Sequence, residues 1–355
     1  ALMFSKLGVN RVRQLILKRY THQTSQTSQT NVLTPTFSVD QIRDLPYVDH
    51  VDLVWKQLLP YKVKINKRKT PILFLHGLFG SILSFNSIGR LLSAVVKHPV
   101  YAVDLRNHGD SPRALPHTYT IMARDIHNFI KQRKWDECIL VGHSMGAKVA
   151  MMVSLLYPSL VSKLVVVDNT PHSRPLNHQF YKDLLGMCEV EVNGHQYKTA
   201  NKKTVGKISQ INRFLTQYEE DHKMRQILTG NLMTCLKHFK NRKDINHEKE
   251  VFKMPVMNFY KYDILRTLGG WPQLPQVQKF DKPVYVMYGN QSEFVAPQFH
   301  KEFYRYFTNV KFQDFDSGHW VAMEQPRQFL KKLAKFIDYD EYCKFKPNKV
   351  RYVKW

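Results

Sequence analysis

Short apolar runs alternate with longer amphipathic stretches along most of the chain. The apolar runs are ILFLHG, PVYAVD, ECILVG, KLVVVD and KPVYVMYG. Runs of this length are typical of strands buried inside a sheet. Helical spacing occurs between them, in SIGRLLSAVV, MARDIHNFIKQR and AKVAMMVSLLY, and VDLVWKQLL predicts an edge strand ahead of them. The alternation predicts an α/β fold in which helices cover both faces of a mostly parallel central sheet.

The pattern changes between residues 172 and 278, where polar, lysine-rich helical stretches such as QINRFLTQYEEDHKMRQIL replace the buried runs. A helical segment between two strands of one sheet predicts an inserted lid. The sheet resumes at KPVYVMYG, continues at VKFQDFDSGHW and closes with a helix at PRQFLKKLAKFI. We therefore expect the N-terminal part of the core in residues 40–171, the helical lid in 172–278, the C-terminal part of the core in 279–337 and a basic tail in 338–355.

The first 39 residues contain no Asp or Glu, carry several Lys and Arg residues, and then become rich in Thr, Ser and Gln. This composition is typical of a mitochondrial presequence. We predict a presequence and linker in residues 1–39 and a mitochondrial location, with a disordered basic tail as the alternative. No apolar run reaches the roughly 20 residues that a membrane-spanning helix needs.

The net charge of +24 raises the question of a nucleic-acid partner. However, the Lys and Arg residues are dispersed, and the sequence has no zinc-finger spacing, RNA-recognition motif or helix-turn-helix signal. We expect a solvated basic surface and no nucleic-acid partner. The four cysteines are far apart and lack the close pairs of a metal or redox motif. Neither a metal nor a cofactor is predicted, and the oligomeric state is left open.

Ser144 lies in the segment Gly142-His143-Ser144-Met145-Gly146, with a predicted strand before it and a predicted helix after it. A serine hydroxyl needs a base and an exposed, rigid turn to become a nucleophile at neutral pH. The two glycines leave room for such a strand-to-helix turn. The motif predicts that Ser144 is the catalytic nucleophile; a helix-capping serine among chance glycines is the alternative.

A second motif, HGLFGS, follows the strand ILFL directly. Charge that develops on an acyl oxygen needs preorganised donors, and this topology places the backbone N–H groups of Leu78 and Met145 to form an oxyanion hole. His76 opens the motif and is expected to hold the loop in place. We expect His108 to stabilise its loop, and His143, although next to Ser144 in sequence, to point away from it.

The base and the acid should follow the serine in the order acid, then histidine. His319 in DSGHW comes after the last predicted strand and is the predicted base. Proteins with this order usually place the acid after the strand that follows the lid, where this chain has Ser292, which cannot hold an imidazolium by charge. We therefore predict Asp168, at the end of KLVVVD, as the acid, and keep Glu293 as the alternative.

The segments HGLFGS, DLRNHGDSP, GHSMGAKVAM, VVVDNTP and DSGHW, in this order, resemble the α/β-hydrolase group that contains yeast ethanol acetyltransferases and mitochondrial hydrolase-domain proteins. The resemblance covers about residues 51–337. It implies an α/β-hydrolase fold and a triad of Ser144, Asp168 and His319.

The same resemblance implies synthesis of acetate esters, such as ethyl acetate, with thioesterase and esterase side activities. The expected partners are a small-molecule acyl donor, with acetyl-CoA as co-substrate, and an alcohol or water as acceptor. Two alternatives stay open, because a fold does not decide a function. They are a mitochondrial carboxyl-ester or thioester hydrolase, and a non-catalytic scaffold.

Overall fold

The computed structural model describes Ser38 and residues 42–200, 204–235, 242–246, 249–274 and 277–345. The predicted presequence lies outside the described residues apart from Ser38, and so does the predicted tail beyond residue 345.

The strands of the described residues join into one sheet. They are β1 Trp55–Gln57, β2 Ile72–Leu75, β3 Val100–Val103, β4 Cys138–His143, β5 Val161–Val167, β6 Val284–Gly289 and β7 Val310–Phe315. Their order across the sheet is β1-β3-β2-β4-β5-β6-β7. Only β1 runs antiparallel to its neighbour, and the strands from β2 to β7 pair in parallel. The prediction of a mostly parallel sheet is confirmed.

The helices connect these strands and cover the sheet. They are α1 Asn86–Val96, α2 Tyr119–Gln132, α3 Met145–Leu156, α4 His178–Val192, α5 Ile208–Leu215, α6 His222–Thr229, α7 Val256–Lys261, α8 Ile264–Gly269, α9 His300–Phe303, α10 Val321–Glu324, α11 Pro326–Ile337 and α12 Tyr339–Lys344. Within the described residues, no helix is both long and apolar enough to cross a membrane.

The predicted edge strand is shorter than its apolar pattern. Only Trp55–Gln57 pairs with β3. Ahead of that strand, the Val51 N–H donates to Asp125 Oδ1 at 2.8 Å and the Val54 N–H donates to Ser111 Oγ at 2.8 Å. Side-chain acceptors thus take the N–H groups of Val51 and Val54, although the Val54 carbonyl oxygen still accepts the Asp104 N–H at 2.8 Å.

Alternate residues of the central strands pack into separate cores on the two faces of the sheet. In β2, Leu73 and Leu75 face the core that α2, α3 and the insertion cover. Ile72 and Phe74 face the other core, which α1 and α11 cover. Both sets are fully buried, as expected for a strand with helices on each side.

The insertion between β5 and β6 contains α4 to α8. The stretch QINRFLTQYEEDHKMRQIL, with its continuous helical pattern, forms two helices, α5 and α6. Asp221 interrupts it because its side chain accepts the Lys223 N–H at 2.9 Å and so caps the start of α6. Arg225 supports the turn from the other side by donating to the carbonyl oxygens of Glu219 and Glu220.

The first residues of the predicted basic tail are ordered against the core. Asp338 accepts the Glu341 N–H at 3.0 Å and caps α12. Its other oxygen, Oδ2, lies 2.7 Å from Lys69 Nζ and 3.2 Å from His98 Nε2. These contacts tie α12 to the segment before β2 and to the end of α1.

Candidate active site

Ser144 sits in a backbone turn that only small neighbours permit. It caps α3 with φ +53° and ψ −117°, a conformation that L-residues adopt only when the surroundings hold it. A Cβ on Gly142 would come within 2.2 Å of the Gly146 carbonyl oxygen, and a Cβ on Gly146 within 2.2 Å of the Leu75 carbonyl oxygen. The strand, the turn and the helix are therefore in backbone contact, which places the Ser144 hydroxyl at the end of β4, beside His319.

Ser144, His319 and Asp168 form one chain of hydrogen bonds. His319 Nε2 lies 2.9 Å from Ser144 Oγ, and His319 Nδ1 lies 2.6 Å from Asp168 Oδ2. Each residue follows a different parallel strand: β4 for the serine, β5 for the aspartate and β7 for the histidine. The His319 ring stacks on Phe294 at a centroid distance of 4.3 Å. The three predicted residues are thus brought together in the geometry of a nucleophile, an oriented base and an acid.

Asp168 is fully buried, and its carboxylate accepts hydrogen bonds from three donors, one of which is His319. The Gly289 N–H donates to Oδ1 at 3.1 Å, and the Ser292 hydroxyl donates to Oδ2 at 2.5 Å. Asp168 itself has φ +53°, which turns its side chain toward the neighbouring strand ends. Ser292 therefore donates a hydrogen bond to an acid that comes from the adjacent strand.

Glu293, the alternative acid, points elsewhere. Its side chain is 70% exposed and pairs with Arg174 at 2.5 Å. The structure thus brings Asp168, and not Glu293, into contact with the histidine.

The two predicted oxyanion donors lie beside the serine. Leu78 and Met145 both line the pocket over Ser144. Met145 is the first residue of α3, where backbone N–H groups have no acceptor within the helix. A Cβ on Gly77 would lie 3.1 Å from the Ser144 Cβ, so the loop that carries Leu78 approaches the nucleophile closely.

His76, His108 and His143 are buried, and their rings form hydrogen bonds with backbone groups. His76 Nε2 accepts the Leu105 N–H at 2.9 Å, and His143 Nε2 donates to the His319 carbonyl oxygen at 3.0 Å. Burial lowers the pKa of His76 and of His143 to about 3, and that of His108 to about 4. At neutral pH these rings are uncharged, and His143 helps to place the segment that carries His319.

The rest of the pocket comes from residues that carry no motif. Tyr119, Asn169, Leu176, Phe180 and Leu268 line it together with the serine and the two oxyanion residues. Leu176, Phe180 and Leu268 belong to the insertion, and the Tyr119 hydroxyl donates to the Leu268 carbonyl oxygen at 2.6 Å. The insertion therefore forms one wall of the site.

Lys148 attaches that wall to the nucleophile helix. It is buried one turn after Ser144. Its ammonium donates to the carbonyl oxygens of His172 at 3.0 Å, Gly269 at 3.4 Å and Gly270 at 2.9 Å. These carbonyls belong to the start and the end of the insertion, so a single side chain binds both of its connections to the core. Burial lowers the pKa of Lys148 to about 7.

The parallel sheet, the glycine-flanked serine turn and the serine–histidine–aspartate chain at the carboxyl ends of the strands define the α/β-hydrolase class. The family model described as alpha/beta hydrolase fold matches residues 70–326. The chain belongs to this family.

Relatives with assigned names include acetyltransferases. The chain is 30% identical over 280 residues to a probable alcohol acetyltransferase of Saccharomyces cerevisiae, covering 78% of this chain and 79% of that protein. It is 28% identical over 319 residues to ethanol acetyltransferase 1 of Cyberlindnera fabianii, covering 85% and 90%. An abhydrolase domain-containing protein of Schizosaccharomyces pombe is 30% identical over 288 residues, covering 79% and 99%.

Among solved structures, one titled "Marine microorganism esterase" superposes with a TM-score of 0.64 at 24% identity, covering 81% of this chain and 99% of that one. That likeness bears on the fold. Together, the fold and the acetyltransferase-named relatives support an enzyme.

The buried lysine predicts a pH dependence of stability. An unfolded lysine has a pKa of about 10.4, whereas the folded value is about 7. Between these values the unfolded chain binds more protons, so this group makes stability rise with pH. Relative to Lys148→Met, the unfolding free energy of the unmodified protein should rise by about 1.4 kcal/mol per pH unit above pH 7.

Chemical denaturation of both proteins at several pH values measures this difference. Lys301→Met, at an exposed position of α9, is the matched control and should leave the pH profile unchanged. A constant difference between Lys148→Met and the unmodified protein would show that the buried amine does not titrate in this range.

Proposed function

We propose that the protein is a serine-dependent acyltransferase that makes acetate esters from acetyl-CoA and an alcohol through an acyl-enzyme on Ser144. The observation that carries the proposal is the chain of hydrogen bonds from Ser144 Oγ through His319 to Asp168 Oδ2. Such a chain supplies a base for the hydroxyl proton and a charge that stabilises the imidazolium. Hydrolysis is the outcome of the same chemistry when water replaces the alcohol.

In the first step, His319 Nε2 accepts the Ser144 proton while Oγ forms a bond to the acyl carbon of the thioester. The backbone N–H groups of Leu78 and Met145 hold the negative charge on the acyl oxygen. The carbon–sulfur bond then breaks, and the imidazolium returns its proton to the thiolate, which leaves as the free thiol.

In the second step, His319 removes a proton from the acceptor hydroxyl, whose oxygen attacks the acyl carbon. The bond to Ser144 Oγ breaks and the serine recovers its proton. An alcohol gives an ester, and water gives acetate. The choice between them depends on how well the site retains an alcohol and excludes water.

Two features favour an alcohol over water as the acceptor of the acyl group. The pocket over Ser144 is lined by the apolar side chains of Leu78, Met145, Leu176, Phe180 and Leu268, which suit the alkyl part of a small alcohol better than bulk water. The relatives named ethanol acetyltransferase and probable alcohol acetyltransferase align over most of this chain. The acetyl group and the alcohol are taken from those names.

The substrate proposal predicts the products of a direct assay. Purified protein with acetyl-CoA and ethanol should form ethyl acetate, measured by gas chromatography, and release CoA, measured by thiol titration. Without ethanol, CoA release should continue more slowly as hydrolysis. CoA release with no ester at any ethanol concentration would reject the transferase and leave a hydrolase. A folded protein in which a fluorophosphonate probe does not label Ser144 would instead point to a scaffold.

The acid assignment predicts a graded set of effects. Asp168→Asn should lower turnover by about 10⁴-fold, because the histidine loses the charge that selects its tautomer. Ser292→Ala removes one hydrogen bond to a charged group, which is worth about 1.5–3 kcal/mol, and should lower turnover by roughly 10- to 100-fold. Glu293→Gln is the matched control and should change turnover little. Turnover with p-nitrophenyl acetate measures all three, and a larger loss in Glu293→Gln than in Asp168→Asn would move the acid to Glu293.

We also propose that the protein is imported into mitochondria through its N-terminal segment. The support is the composition of residues 1–39, which are basic, free of acidic residues and rich in Ser and Thr. A chain without residues 1–31 should lose protease-protected uptake by isolated mitochondria and keep its activity in solution. Undiminished uptake of the shortened chain would reject the segment as the targeting signal.

A further inference from the structure

The loop that connects β1 to β2 presents a cluster of positive charge. Lys62, Lys64, Lys67 and Arg68 are all exposed. The surrounding sequence offers nothing to neutralise them, since residues 53–103 contain no Asp or Glu. Within the described residues, none of the four forms an ion pair with a carboxylate. We call residues 59–68 the basic loop.

The basic loop is held by the core. The Asn66 N–H donates to the Lys97 carbonyl oxygen at 2.8 Å, and the Asn66 side chain accepts the Arg68 N–H at 3.0 Å. Just beyond the loop, Lys69 Nζ donates to the Val96 carbonyl oxygen at 3.1 Å. The basic loop is therefore held against the end of α1 through the hydrogen bonds of Asn66.

Two carboxylates at the start of α12 pair with Lys69, the residue that follows the basic loop. Lys69 Nζ lies 2.7 Å from Asp338 Oδ2 and 3.4 Å from Glu341 Oε1. Asp340, on the same short helix, is exposed. The four exposed cations of the basic loop therefore outnumber the one exposed carboxylate of α12 that does not pair with Lys69.

Exposed apolar side chains accompany these charges. Leu59 is 51% exposed and Tyr61 is 58% exposed, although both begin the same loop. Lys62 Nζ lies 5.0 Å from the centre of the Tyr61 ring. Tyr339, at the start of α12 and next to Asp338, is 61% exposed. Tyrosine and leucine among lysines are typical of surfaces that enter the headgroup region of a bilayer.

The basic loop and the candidate active site lie at opposite edges of the sheet. The loop leads into the amino end of β2 at Ile72, whereas the carboxyl end of β2 at Leu75 leads into the loop that carries Leu78. Ser144 follows the carboxyl end of the neighbouring parallel strand, β4. A large object bound at the basic loop would leave the pocket over Ser144 open.

The chain beyond α12 adds charge of the same sign. Phe345 packs against the core that α1 and α11 cover. The ten residues after it include Lys346, Lys349, Arg351 and Lys354 and no acidic residue. Phe345, the last described residue, lies on the face of the sheet to which the basic loop is attached.

We propose that the basic loop is a docking surface for a bilayer that contains anionic phospholipids. Lysine ammonium groups act as point charges, which suits the diffuse charge of phospholipid headgroups. Insertion of Leu59 and Tyr61 into the headgroup region would bury their apolar surface. A nucleic-acid backbone would contact the charges but leave this apolar surface exposed to water. This inference is independent of the proposed reaction.

Sedimentation of the full chain with lipid vesicles tests the proposal. The protein should bind vesicles of phosphatidylcholine with about 30% phosphatidylglycerol, bind pure phosphatidylcholine weakly, and be released by about 0.5 M salt. Each basic residue near such a surface contributes about fivefold to binding. Changing Lys62, Lys64, Lys67 and Arg68 together to Gln should therefore weaken binding by about 10²- to 10³-fold.

Two comparisons make the test specific to the basic loop. Changing the exposed Lys182, Lys207, Lys223 and Lys301 together to Gln removes the same charge elsewhere and should weaken binding by less than about twofold. The Leu59→Ser and Tyr61→Ser double variant keeps every charge and should also bind more weakly. The N-terminal segment is the same in all these proteins, so their differences report on the loop.

The proposal fails if the loop variant binds anionic vesicles as the unmodified protein does, or if the control variant loses as much. It also fails if duplex DNA at physiological salt binds the unmodified protein and the vesicles do not. Thermal unfolding and hydrolysis of p-nitrophenyl acetate, which the loop changes should leave unaltered, show that each variant is folded.

Discussion

The backbone contact at the serine turn is the constraint on which the site depends. Gly146 lies against the carbonyl of Leu75, and Gly142 lies against the carbonyl of Gly146, with no room for a methyl group at either. This contact brings the start of α3 against the end of β2, and so places the Met145 N–H beside the loop that carries Leu78. Any side chain at either glycine would separate the strand from the helix and move the hydroxyl away from both its base and its oxyanion donors.

The acid of the triad, Asp168, follows β5 and not β6, and the residues around it compensate for that position. Asp168 follows β5, so its carboxylate must cross toward the end of β6, and its positive φ directs it there. A buried carboxylate is costly unless donors surround it. The Gly289 N–H and the Ser292 hydroxyl come from the end of β6 and meet that need, while His319 takes the remaining position. Ser292, at the position where the order of elements alone would place the acid, is therefore part of the arrangement that supports Asp168.

Much of this arrangement could be predicted from the sequence, because the catalytic side chains lie in short sequence motifs. Ser144 and His319 stand in short motifs, and the terminal helix α11 has the bounds that its apolar spacing indicates. The contacts of Lys148 with the carbonyl oxygens of Gly269 and Gly270 could not be predicted, since they join residues more than a hundred positions apart. The break between α5 and α6 does not follow from the helical pattern of this polar stretch, because the hydrogen bond by which Asp221 caps α6 outweighs the continuous pattern.

Lys148 links the chemistry to the insertion in a way that bears on the fate of the acyl group. The helix that begins at the nucleophile also carries the ammonium that binds both connections of the insertion. Because Leu176, Phe180 and Leu268 of the insertion line the pocket, the wall that would exclude water is positioned relative to Ser144 by one turn of helix. For the proposed reaction, partition between an alcohol and water would then depend on that attachment as much as on the triad, since the proposed mechanism uses the triad in the same way for either acceptor.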